Sequence, residues 1–113
     1  MKFNQKTPPR FFKPGNDDSI QIADCGQIFL EPNDQVTFLT QTGKEYDFTA
    51  KSWGFYATPS INSRLRDQEF KTALVKNSYD KYYIMVVEKE KMDNFESYLK
   101  GEGNIIIEWL DER

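Results

Sequence analysis

Apolar and polar residues alternate along most of this chain with the period of two that belongs to β-strands. Alternating runs occur at Ser19-Ile20-Gln21-Ile22-Ala23, at Gln27–Leu30, at Gln35–Leu39 and at Tyr46–Thr49. Between them stand turn residues: Cys25-Gly26, then Glu31-Pro32-Asn33-Asp34, then Gln41-Thr42-Gly43-Lys44. Proline at the second position of the middle turn pre-sets φ for a type I turn. Short alternating runs joined by such chemistry predict a β-meander over 19–50.

The rhythm changes after residue 50. A strand over 52–57 leads into Thr58-Pro59-Ser60, a helix-start signal, and the pattern predicts a helix over 59–67 with Thr58 as cap and Pro59 first. Strands follow at 70–75 and 82–87, with Asn77-Ser78-Tyr79-Asp80 as the turn between them. Over 91–100, Met92, Phe95 and Leu99 recur at helical spacing, and Gly101 supplies a stop. A last strand covers 104–110. The expected core is Leu74, Ile84, Val86, Phe95, Leu99, Ile105 and Ile107, each on the apolar side of its element.

The fold class predicted is α+β in a single domain, 1–113. It comprises an extended N-terminal arm over 1–17, held straight by Pro8, Pro9 and Pro14, the meander, and a β-α-β-β-α-β unit over 52–110. That order is the split β-α-β of ferredoxin-like folds. As an alternative, the run Ile28-Phe29-Leu30-Glu31-Pro32-Asn33-Asp34-Gln35-Val36 resembles one half of a cupin, which implies a small β-barrel with two appended helices. Cupins hold a metal with histidines, and this chain has none, so the resemblance implies no activity.

The lack of histidine reaches further. It removes Ser-His and Cys-His nucleophilic chemistry and histidine-ligated zinc, and the single Cys25 removes a cysteine-ligated structural zinc. No phosphate-cradling glycine loop and no EF-hand pattern occurs. No metal site and no cofactor is therefore expected. No apolar stretch approaches the roughly 18 residues of a membrane span and no leader pattern opens the chain, so the expectation is a cytoplasmic protein without a membrane.

Charge is unevenly spread although the net is −3. Residues 51–76 carry five bases against two acids, whereas residues 17–50 carry one base against seven acids. The basic excess coincides with the strand–helix junction, where the first amides of a helix are free to meet an anion. Tyr56, Thr58, Ser60, Asn62 and Arg64 are the candidate ligand-binding residues, with Arg64 one turn beyond Ser60 and able to fork onto two oxygens. The same residues also read as a core strand, with Trp53 and Phe55 inward, and a plain cap. Tyr82-Tyr83 lies where RNA-recognition domains carry base-stacking aromatics, but the surrounding Lys81–Val86 lacks their glycine-aromatic signature, and nucleic acid is an unlikely partner for an acidic chain. The expectation is a non-catalytic binding or accessory module. Its ligand would be a small anion (phosphosugar, nucleotide or carboxylate), with a homodimeric interaction domain and then an RNA-binding module as alternatives.

Overall fold

The computed structural model describes residues 1–15 and 17–113. Its contacts divide the chain into two compact units, Met1–Thr58 and Pro59–Arg113. Together they hold eight strands in three small antiparallel sheets and two α-helices among the described residues, an α+β chain in which strands predominate.

In the first unit β1 (Lys2–Phe12) and β2 (Ile22–Phe29) form an antiparallel ribbon, with Lys2 opposite Phe29 and Phe12 opposite Ile22. Most of the expected arm is thus a paired strand. Its prolines, Pro8 and Pro9, fall where the register slips between Gln5 and Arg10, since a residue without N–H is tolerated where the ladder is interrupted. The predicted break at Cys25-Gly26 does not occur, because β2 runs straight through it. Gly26 has φ 150°, and a Cβ there would lie 2.3 Å from the Asn4 carbonyl oxygen, so only glycine lets the partner strand pass this close.

The second sheet joins β3 (Gln35–Leu39), β4 (Glu45–Lys51) and β5 (Gly54–Ala57) in that order. The turn before β3 closes with the Asp34 amide on the Glu31 carbonyl at 2.9 Å. Asn33 has φ 73°, which makes this turn type II rather than type I: proline suits either, and the residue after it decides. Buried positions concentrate on the central strand, at Asp47, Thr49 and Ala50. Trp53 sits in the tight β4–β5 turn, exposed, and Phe55 is exposed on β5. The expected inward face of 52–57 is therefore not core: Trp53 is 71% and Phe55 66% exposed.

This pairing also corrects the expected ferredoxin-like sheet. The strand at 54–57 hydrogen-bonds to β4, Phe48 opposite Ala57, and not to any later strand. The three sheets stay separate, with no closed barrel.

The second unit contains α1 (Arg64–Asp67), β6 (Phe70–Lys76), β7 (Tyr82–Glu88), a 3-10 turn at 89–91, α2 (Met92–Glu102), β8 (Ile105–Trp109) and a 3-10 turn at 110–112. Strand order is β7-β6-β8, antiparallel throughout. The helix expected over 59–67 shrinks to four residues with Ser63 at its N-cap. The Ser60 hydroxyl accepts the Arg64 amide at 3.0 Å and its carbonyl accepts the Leu65 amide at 3.0 Å. Short polar side chains such as Ser60, Asn62 and Ser63 offer the backbone these local alternatives to a regular helix. The second helix appears as predicted but passes through Gly101 and ends at Gly103. There φ is 71°, a left-handed conformation that glycine adopts without strain.

The core of this unit is Ala73, Val75 and Leu99, with Met85, Phe95, Ile106 and Trp109 packed against it. Leu99 is buried as expected, and Phe95 is half-buried against Trp109, ring centroids 6.0 Å apart. The expected strand face is the wrong one. Leu74, Ile84, Val86 and Ile105 occupy the register positions that point away from Ala73 and Val75. Ile107 is the extra residue of a bulge in β8. All three strands carry apolar residues on both sides, and α2 covers only one of them.

Candidate functional site

The residues nominated at the junction divide between the two units: Tyr56 and Thr58 belong to the first, Ser60, Asn62 and Arg64 to the second. Tyr56 lies opposite Thr49 on β5, and its ring stacks on Trp53 at 6.2 Å. Thr58 continues the sheet: its amide donates to the Asp47 carbonyl at 2.9 Å, and its hydroxyl is 2.5 Å from that of Thr49. Ser60 spends its hydroxyl on the Arg64 amide. Asn62 is exposed in the turn before α1, and Arg64 opens that helix on the surface. The first free amides on which the anion argument leaned are thus supplied with partners by Ser60 itself.

A polar cluster that sequence reasoning missed lies within the second unit. Asp111, only 5% exposed, accepts the Thr72 amide at 2.9 Å and the Lys71 ammonium at 3.0 Å. Its carbonyl accepts the Arg66 guanidinium. Lys71 also reaches Glu112 at 3.2 Å and lies 4.8 Å over the Trp109 ring. Burial pushes the Asp111 carboxyl up, but the Thr72 amide and Lys71 outweigh it and hold it below the usual carboxylate range. Burial likewise opposes the charge on Lys71, and Asp111 with Glu112 outweighs it, so its pKa is raised. Every ion in this group has a partner, which makes it a clamp fastening 110–112 onto β6. A signal existed in the sequence only as Trp109-Leu110-Asp111, one acid at the end of an apolar run.

The other feature is apolar. On the side of the second unit's sheet away from α2, Ile84 is 56%, Ile105 54% and Tyr82 60% exposed, with half-buried Leu74 and Val86 between and beside them. Lys76 lies in the same row but directs its ammonium to Asp80 at 3.4 Å. On the α2 side, an open groove of about 380 Å³ runs between β7 and the helix, lined by Met85, Val87, Phe95 and Tyr98 together with the polar Glu88, Lys91 and Asn94. Burial, then Glu102 and Tyr83, raises the Tyr98 pKa, so its phenol stays neutral there at ordinary pH. Isolated exposed apolar side chains are normal, whereas Ile84, Ile105 and Tyr82 form a contiguous group on one sheet face, opposite to the side that holds the groove.

Among the described residues no group of three or more acidic, cysteine or histidine side chains is arranged to hold a metal ion. No helix among them is long and apolar enough to cross a membrane. Compared with known proteins, the chain matches no family model, and neither a curated protein nor a solved structure is significantly similar to it.

Proposed function

We propose that this chain is a non-catalytic interaction module that works by protein contact through the sheet of its second unit. The observation that carries the reading is the exposure of Ile84 and Ile105 on one face of β7-β6-β8, flanked by Leu74 and Val86. At just over half exposure, each of these side chains forgoes roughly 1–1.5 kcal/mol relative to full burial, a gain that a partner recovers on docking. The same face contains Tyr82, whose ring adds apolar area and whose hydroxyl keeps a hydrogen bond available, a combination enriched at interfaces. Capture from a lysate of the source cells, with wild type against the double variant Ile105→Lys and Ile107→Lys, tests the reading. Specific loss of a retained protein from the variant is expected, and identical captures would refute it.

For the small-anion reading of residues 56–66, support now rests on the basic excess of residues 51–76, since Ser60 occupies the amide and Thr58 is committed to its sheet. Calorimetric titration of inorganic phosphate into wild type and Arg64→Lys measures it directly. Equal heats in both, or none, would remove it.

A further inference from the structure

We infer that β7 is a self-association edge: two copies of this chain pair antiparallel through Tyr82–Glu88 and join two three-stranded sheets into one of six. The inference rests on the protein-contact reading above and names the partner on one side of that surface.

The first observation is topological. In the order β7-β6-β8, β7 pairs with β6 alone among the described residues, and none of their strands lies along its outer row. Edge strands of natural proteins are ordinarily blunted by proline, by inward charge, by a bulge or by brevity. None of these protects β7. It has seven residues in unbroken register with β6, no proline, and no charged side chain between Tyr82 and Val87. By contrast β8, the opposite edge, is shortened to five residues and carries a bulge.

The second observation is the chemistry on the two sides of that edge. A two-fold axis normal to the sheet keeps each face on its own side, so a residue meets a residue of equal parity in its partner. Such pairing sets apolar or aromatic residues against one another at five consecutive positions, 82–86 when centred on Ile84 and 83–87 when centred on Met85. Ile84 and Val86 then extend the exposed face across the junction. On the other side, Tyr83 and Met85 of the partner strand enter the groove that Phe95 and Tyr98 leave open beside β7. A partner with polar side chains on either side of its strand fits one of the two faces but not both.

The third is area. On the groove side, Tyr83 and Tyr98 are 47 and 41% exposed and Met85 and Phe95 are half-buried. At roughly 200 Å² for a large side chain they supply about 200–300 Å² per copy, or about 400–600 Å² in all, to which the paired main-chain edge adds. An interface of that size belongs to the weak class, and the dimer is reversible.

Sedimentation equilibrium of the whole chain from about 1 to 200 µM tests this, with Ile84→Lys and Tyr83→Lys as separate variants and Leu39→Lys, an exposed apolar position on β3 of the first unit, as the control. Each of the first two sets like charges near one another across the axis, on opposite faces, and both positions are exposed enough for the monomer to fold, which circular dichroism verifies. A monomer–dimer equilibrium in wild type, weakened at least tenfold by either variant and unchanged by Leu39→Lys, is expected. If one variant fails to fold, the other decides. A monomeric wild type at 200 µM, or dimers that persist in the folded variants, would overturn the inference. The lysate capture on Ile105 and Ile107 reads a different edge of the surface, so the module reading survives or fails independently of this result.

Discussion

At the scale of single residues, two buried polar groups in β6 have opposite fortunes. The Thr72 hydroxyl is buried with no hydrogen-bond partner among the described residues, while its amide is held by Asp111. A buried hydroxyl without a partner forfeits its hydration, at a cost of about 1–3 kcal/mol. Thr72→Val is therefore expected to raise stability by about 1 kcal/mol, read as a higher urea midpoint with unchanged slope; a lower midpoint would show that the hydroxyl is satisfied. Asp111 has the reverse effect. Its folded pKa is depressed below the unfolded value, so its stabilisation is complete at neutral pH and is lost as pH falls below about 4. Asp111→Asn leaves Lys71 without its nearest charge and is expected to cost about 3 kcal/mol at pH 7. The gap between variant and wild type should narrow in melts at pH 3, and a constant gap would refute the assignment.

At the scale of elements, burial separates residues that sequence pattern treats alike. Leu99 is 6% exposed inside the cluster of Ala73 and Val75, whereas Ile105 is 54% exposed. Leu99→Ala is expected to cost about 3 kcal/mol through lost transfer energy and a residual cavity. Ile105→Ala is expected to cost less than about 1 kcal/mol, as surface substitutions do. Comparable losses in chemical denaturation would mean that the outer face is covered. Helix α2 supplies a further check at its end. At Gly103, φ 71° makes any Cβ strained although space is open, so Gly103→Ala should cost about 1 kcal/mol, while Gly101→Ala, inside the helix, should stabilise by about as much.

At the scale of the whole molecule, each unit has one strand paired on both sides, β4 in the first and β6 in the second. Amide hydrogen exchange should be slowest at those two strands and fast at β5, an edge with exposed side chains, because local opening takes little where few contacts are broken. Protection at β7 should rise with protein concentration if its outer row is paired in a dimer, and protection in β8 should not. Slow exchange at β5 equal to that at β4 would contradict the assignment of β5 as an edge.

Much of this chain is legible without coordinates. Alternation locates β3 and β4, apolar runs locate β6, β7 and β8, turn chemistry locates the bends at Asn33, Gly43 and Asp80, and the spacing of Met92, Phe95 and Leu99 locates α2. These are local properties, because a turn or a helix depends on residues within one or two turns of each other. What tertiary structure decided is everything that depends on a distant partner. Pattern could not choose between the two apolar sides of β6, β7 and β8; the choice came from α2 packing against Ala73 and Val75. Nor could it say that residues 54–57 pair backward with β4 instead of joining the later strands, because hydrogen-bonding groups are the same in every strand. The candidate anion site failed to form a helix start for a local reason, Ser60 capturing the amides of Arg64 and Leu65, which sequence shows only as a short polar run. Sequence by itself determined where β3, β4, β6, β7, β8 and α2 lie. Only the fold determined which apolar side of β6, β7 and β8 meets α2, since Ala73 and Val75 pack against Leu99 while Ile84 and Ile105, on the other side, stay exposed.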